Sequence, residues 1–345
     1  MGLNPAPHPA QVIELPAVPG LTRLYGKAIA PSPAAAATAV ASAVATKLPF
    51  GAKAQPVVEA STLRLPELTL MARGVKGEGG RLVDYQRLVG EPTNNMLPAG
   101  YVHVLGFPLA MALMVRADFP LPVLGMVHLK NRVTMTRAIR AHESLDILAW
   151  AQNLSGHAKG TTVELVVEAQ VDGDVVWRGV STYLAKGKYL LGRGDVDGAG
   201  VDGTGAAARE FIAPLPTGRW ELGSGVGRAY AAVSGDRNPI HMSALSAKPF
   251  GFKRAIAHGM YTGARALAQA RPLRPEAFDW TIEFARPVLL PGTVDVSIRA
   301  ADAGGGDGGG AGSEADGGAT SGIVTYAGWN GRTGKPHFTG TITAR

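Results

Sequence analysis

The sequence predicts an α+β protein of two related halves, each an antiparallel sheet wrapped around one long central helix. Three observations carry this expectation. Strand-like alternation with a hairpin signal fills the middle of the chain, a Gly-rich break then divides it, and the order of motifs before the break recurs after it.

Residues 1–20 are Pro-rich and are expected to be irregular. The stretch Pro31–Pro49 reads as either an Ala-rich helix or a flexible linker, so 1–60 form an irregular leader and Ala-rich segment. From Thr62 the pattern becomes orderly, and Thr62-Leu63-Arg64-Leu65 and Leu68-Thr69-Leu70 alternate as strands do. Leu124–Thr136 and Thr161–Leu184 are rich in strand formers. Val163, Leu165, Val167 and Ala169 share one parity, and Asp172-Gly173 turns the chain before Val175-Val176-Trp177. This defines a first repeat over 61–190.

A Gly-rich linker over 191–210 follows, and 211–345 form the second repeat. That repeat restarts at Trp220, continues through Tyr230 to His241, and carries a helix from about Met260 to Gln269. Strands follow at Trp280–Phe284, Thr293–Arg299, Ile323–Trp329 and His337–Thr343. Gly304–Gly322 is nearly all Gly, Asp, Ala and Ser. It cannot bury enough apolar surface to offset its ordering entropy, and is expected to be a disordered loop between two strands.

The repeat is visible in residues. Tyr85 to Glu91 matches Tyr230 to Asp236, His103-Val104-Leu105 echoes His258-Gly259-Met260, and Val127–Val133 tracks Ile282–Val288. Without gaps, Glu91 falls on Asp236 and Met96 on His241. A Met cannot transfer protons, so the first copy is expected to be degenerate.

Composition narrows the function. There is no cysteine, which excludes disulfides, thiolate metal sites and a Cys nucleophile. The formal charge of +7 favours anionic partners. No Lys/Arg run or nucleic-acid motif accompanies it, so a dispersed solvated surface accounts for most of it and no nucleic-acid partner is expected. The N-terminus lacks a basic-then-apolar signal peptide, and Ala34–Ala45 is too short to span a bilayer. A soluble cytoplasmic protein with no membrane partner is expected.

The informative stretch is Tyr230–His258, followed by Gly259-Met260. Gly235 permits a tight turn that exposes Asp236, Asn238 can bond backbone groups in a turn, and Pro239 suits the first turn of a helix. A carboxylate and an imidazole five residues apart can then face one cleft. Water addition needs such a pair, because one group handles water while a proton reaches carbon.

Tyr230, Ser234, Gly235, Asp236, Asn238, Pro239, Ile240, His241, Ala247, His258, Gly259 and Met260 together resemble the motif of the MaoC-like hydratases and dehydratases, of the (R)-specific enoyl-CoA hydratase type. The degenerate first half resembles the branch with two fused repeats, which implies a double hot-dog fold. The resemblance implies Asp236 and His241 as the catalytic pair and the Gly259 backbone N–H as the oxyanion donor. Ser234, Gly235, Asn238, Pro239 and His258 would shape the site. Some relatives carry a Ser in the helix after the His-Gly-Met turn, where this chain has Leu267.

No cofactor or metal is implied beyond the CoA or phosphopantetheine of an acyl-CoA or acyl-carrier-protein substrate, and a homodimer is possible. The function implied is reversible hydration of trans-2-enoyl thioesters. Two other readings stand beside it: a non-catalytic acyl-binding or scaffold subunit, and a hot-dog thioesterase. Arg237, Lys248, Lys253 and Arg254 flank the motif and read either as contacts to phosphates or an acidic carrier, or as a solvated basic rim. His103 and His128 lack acidic partners at matching spacing and read as structural.

Overall fold

The computed structural model describes residues 3, 6–29, 64–77, 79–192, 211–301 and 322–345. The Ala-rich stretch Pro31–Pro49, the linker beyond Gly192 and the Gly-rich stretch up to residue 321 lie outside the described residues.

The leader expected to be irregular is ordered at residues 11–29. Strand β1 (Gln11–Leu15) is followed by helix α1 (Leu21–Ile29). Leu21, Leu24, Tyr25 and Ala28 recur at helical spacing and pack against the core, which holds α1 on the body of the molecule. The next strand, β2 (Leu68–Val75), pairs in parallel with β1. The strand expected at Thr62–Leu65 is corrected: Arg64-Leu65 lie outside any strand, and Pro66, lacking an N–H, stands between them and β2.

The first repeat continues with α2 (Gly80–Val89) and α3 (Ala99–Met114), the latter buried along nearly its whole length. Strands β3 (Val127–Met135), β4 (Leu145–His157), β5 (Gly160–Val171) and β6 (Asp174–Lys186) complete it. The hairpin at Asp172-Gly173 is present, with φ of 51° and 90° at its two turn residues, as the tight two-residue turn requires.

The second repeat starts with β7 (Gly218–Leu222) and α4 (Val226–Ser234). Two short helical turns follow, α5 (Pro239–Met242) and α6 (Ala244–Ala247), then the central helix α7 (Gly259–Gln269). Strands β8 (Phe278–Phe284), β9 (Gly292–Ala300), β10 (Ile323–Trp329) and β11 (Pro336–Ala344) close the chain.

The described strands form one sheet of eleven, ordered β1-β2-β4-β5-β6-β3-β8-β11-β10-β9-β7. From the β3–β8 seam outward the two repeats read identically, five strands on each side, with β1 added at one edge. The seam is antiparallel and registers Asn131 with Ile282 and Val133 with Trp280. Each repeat wraps its half of the sheet around a central helix. Those helices meet where Gly100 faces Ala264, since a Cβ on Gly100 would lie 3.1 Å from the Ala264 Cβ. The fold is a double hot-dog of the α+β class, and the core is continuous across the seam, with Trp177, Trp220 and Trp280 all fully buried.

The structure sharpens the repeat register. Gly90 and Gly235 both end their helices in the left-handed conformation, which confirms the match of Tyr85–Glu91 to Tyr230–Asp236. Beyond that point the ungapped match fails. Met96 bridges Arg140 as Ile256 bridges Leu289. Leu97 N–H donates to Ile139 O at 2.8 Å as Ala257 N–H donates to Val288 O at 2.9 Å. Met96 therefore stands at the place of Ile256, not of His241. Residues 91–95 replace 236–255, and the loop that carries His241 has no counterpart in the first repeat.

The same bridges align Arg137-Ala138-Ile139 with Arg286-Pro287-Val288, so the expected match of Val127–Val133 to Ile282–Val288 is out of register. They place Pro98, not His103, at the helix-capping position of His258.

Glu91, the counterpart of Asp236, is engaged structurally. Its carboxylate meets Arg274 Nη1 at 3.2 Å, the side chains being 6% and 14% exposed, so the pair ties the two repeats together. Arg274→Met strands the Glu91 charge in a buried place and is expected to lower stability by about 3 kcal/mol. Urea unfolding would measure this, with the activity of the folded fraction unchanged.

Candidate active site

The site forms where α4 ends. Ser234 Oγ donates to Tyr230 O at 2.7 Å and accepts from Asp236 N–H at 3.1 Å, closing the last turn. Gly235 then takes a positive φ of 79°, open to glycine at little cost, and this turns Asp236 into the interior. Arg81 of α2 caps the same helix end, donating to Val233 O at 2.7 Å and Ser234 O at 3.0 Å. A cation at a helix C-terminus is favourable, and here it comes from the other repeat.

Asn238 caps α5. Its side-chain oxygen accepts from Ile240 N–H at 3.4 Å, and its own N–H donates to Asp236 Oδ1 at 3.1 Å. Pro239 fills the first helical position, where no N–H is needed. These contacts lift His241 into the interior, 8% exposed. Its Nδ1–H donates to Ile256 O at 2.8 Å; a carbonyl only accepts, so the neutral ring carries its lone pair on Nε2.

His258 caps α7 and donates from Nε2 to the Asp236 carbonyl at 3.0 Å. Its ring stacks on His241 with centroids 3.6 Å apart. Asp236 Oδ2 lies 3.7 Å from His258 Nε2, and its side chain is 22% exposed.

The electrostatics follow from this packing. Burial pushes the His241 imidazole down to about 3, with His258 adding to the shift and Asp236 opposing it. For Asp236, burial acts to raise the carboxyl. It is outweighed by the imidazoles of His258 and His241 and by hydrogen bonds from Tyr25 and the Asn238 N–H, so the group lies below its ordinary value. At neutral pH the pair is a carboxylate and a neutral imidazole.

Asp236, His241 and His258 are the only group among the described residues placed to hold a metal, their ligand atoms lying within 4.8 Å of one another. The geometry fits a metal poorly. One nitrogen of each ring is turned to a carbonyl, and the face-to-face stacking keeps the remaining lone pairs in nearly parallel planes instead of converging at metal-bond length.

Asp236, His241, His258 and Gly259 all line one cavity of about 570 Å³. Beside Asp236 and His241 is the start of α7, where the first N–H groups have no acceptor within the helix. Gly259 is the first residue of that helix. A Cβ there would lie 2.8 Å from the Phe284 ring, so a side chain would push the helix start away from β8. Across the cavity the first repeat supplies Phe107, Met111 and Met114 from α3. A further cleft of about 410 Å³ beside β7 and the end of α7 contains none of these groups.

Several site residues were not anticipated from sequence. Tyr25 of α1 donates its O–H to Asp236 Oδ1, and Arg81 caps the C-terminal end of α4. His103 and His128, expected to be structural, both line the cavity with Tyr183, and burial holds them down at about 4 and about 3. Leu267 is buried in the core, 1% exposed. Of the flanking basic residues, Arg254 donates to Pro291 O at 3.0 Å.

Residues 226–315 match the MaoC like domain. The chain is 33% identical over 253 residues to 3-hydroxyacyl-thioester dehydratase X of Mycobacterium tuberculosis, covering 73% of this chain and 87% of that protein. The chain belongs to the MaoC-like dehydratase family.

A second member, the 3-hydroxybutyryl-CoA dehydratase of Methylorubrum extorquens, is 36% identical over 77 residues, 21% of this chain and 49% of that one. The crystal structure of HtdX from M. tuberculosis superposes with a TM-score of 0.63 at 29% identity, covering 80% of this chain and all of that one. A MaoC-like dehydratase from Phytophthora capsici shares the fold, with a TM-score of 0.59 at 17% identity over 84% of this chain and 98% of that one. As a member of this family the chain is a hydro-lyase. Among its described residues no helix is long and apolar enough to cross a membrane.

Proposed function

We propose that the chain catalyses reversible hydration of trans-2-enoyl thioesters to (R)-3-hydroxyacyl thioesters, carried on CoA or on an acyl carrier protein. One observation carries the proposal: Asp236 and His241 line one cavity together with Gly259, the first residue of α7. The names of the two curated relatives support the substrate class, and the (R) configuration comes from the resemblance to that hydratase type.

In the hydration direction the oxygen of water bonds to Cβ, while its proton passes through the Asp236/His241 pair to Cα. Dehydration runs the same route backwards. The proton count balances with both groups returning to their resting forms, and no cofactor is needed. The Gly259 N–H stabilises enolate charge on the thioester oxygen, where the helix dipole helps. Ser234, Gly235, Asn238 and His258 hold these groups in place. The apolar wall from α3 gives room for a medium or long acyl group, and each chain has one site.

The test is loss of the conjugated thioester absorbance when purified protein meets enoyl-CoA and enoyl-carrier substrates of several lengths. Release of free thiol would point to hydrolysis instead. Saturable binding without turnover would point to an acyl-binding subunit.

A pH profile provides a second check. Burial disfavours the imidazolium, so His241 stays neutral as pH falls, and Asp236 stays ionised. The value of kcat/KM is therefore expected to hold from pH 8 down to about pH 4, and to fall only below that. An acid limb near pH 6.5 would mean that a solvent-like histidine controls the rate, against this arrangement.

A further inference from the structure

Helix α1 comes from the leader, far from the catalytic motif in sequence, yet it reaches the catalytic carboxylate. Leu21 lies against the turn that presents Asp236, its Cδ1 being 3.1 Å from where a Cβ on Gly235 would stand. One turn of helix further on, Tyr25 donates its O–H to Asp236 Oδ1. That oxygen also accepts the Asn238 N–H. A carboxylate oxygen offers two lone pairs, so Oδ1 is saturated by protein donors. Among the described residues Oδ2 accepts no hydrogen bond, His258 Nε2 standing 3.7 Å away.

We propose that Tyr25 is a positioning residue: by occupying Oδ1 together with Asn238, it fixes the carboxylate rotamer and leaves Oδ2 as the atom that holds the reacting water. The inference rests on the hydratase reading for its kinetic consequence, but its structural part can be tested without activity. Burial keeps the Tyr25 hydroxyl far above its ordinary range, so it remains a donor at every working pH. The ionisable groups around Asp236 are Tyr25 on α1, His241 on α5, His258 at the start of α7 and Tyr230 on α4. From the first repeat come His103, His128 and Tyr183. Tyr25 is the side chain among them that donates to the carboxylate.

The experiment is Tyr25→Phe in the full chain, which keeps the ring and removes the donor. The Asp236 carboxyl is followed by carbon NMR titration, its resonance assigned with Asp236→Asn. Loss of a donor to the charged form should move the midpoint up by about one pH unit, a tenfold gain in proton affinity. The acid limb of kcat/KM should move in the same direction, with kcat about tenfold lower and KM within about twofold.

Leu24→Val on the same helix serves as the control: it should lower stability but leave the carboxyl midpoint in place. Coinciding midpoints in wild type and Tyr25→Phe would overturn the proposal. Equal shifts in Tyr25→Phe and Leu24→Val would also overturn it, because packing of α1 would then be the cause. If wild type turns over no enoyl thioester but the Tyr25→Phe midpoint still shifts alone, the assigned reaction fails and the positioning role stands.

Discussion

Asp236→Asn is expected to lower kcat for enoyl-thioester hydration by about 10²–10⁴-fold, the usual contribution of a placed acid/base group, with little change in thermal stability. The amide is nearly isosteric and can still accept from Tyr25 and the Asn238 N–H through its oxygen, so the turn should persist. What it cannot do is exchange a proton with water at neutral pH. His241→Ala should have a loss of the same order, because it removes the Nε2 lone pair that the Ile256 carbonyl fixes in place. The double variant should fall little further, since groups that move one proton act as a unit. Wild-type rates in either single variant would refute the assignment.

Gly227→Ala is expected to cost about 10²-fold in kcat, though Gly227 carries no side chain and does not line the cavity. Its α-carbon backs directly onto the helical turn that carries His241. A Cβ would stand 2.1 Å from the His241 carbonyl oxygen, a distance no packing tolerates. The backbone of α5 has to move, and displacements near 1 Å at a reacting group carry penalties of that order. Stability should fall by about 1–3 kcal/mol, as for other overpacked sites. The first repeat provides an internal control. Leu82 occupies the place of Gly227 on α2 and is buried without difficulty, because the loop bearing the histidine is missing there. A Gly227→Ala enzyme with normal kcat would show that α5 adjusts freely, contrary to this prediction.

Much of the site was legible in the sequence because it is local. The residues from Tyr230 to Met260 build a helix end, a turn and a second helix start within one stretch of chain. Spacing lets Asp236 and His241 share a turn, and the family resemblance implies Gly259 at the helix start, where α7 begins. The strands of the second repeat were legible for the same reason, and β10 (Ile323–Trp329) falls at the expected limits.

What sequence did not disclose arrives from a distance. Tyr25 and Arg81 reach the site through tertiary packing, and no local pattern announces such contacts. Helix α1 carries a signal, in the spacing of Leu21, Leu24, Tyr25 and Ala28, but the prolines before it read as an irregular leader. Strand β4 lies outside the expected strands although Ile147, Ala149 and Ala151 alternate within it. The repeat register slipped because a loop was shortened between two well-matched landmarks. The pairs Arg137/Arg286, Ile139/Val288 and Asp146/Asp295 would have restored it.

The β3–β8 seam has a consequence for dilution. The cavity takes Asp236, His241 and Gly259 from one repeat and Phe107, Met111 and Met114 of its apolar wall from the other, and one covalent chain supplies both. Bringing the two halves together is then an intramolecular event, governed by an effective concentration and not by how much protein is present. Specific activity should hold constant as the protein is diluted through the nanomolar range, where a site shared between separate chains would come apart.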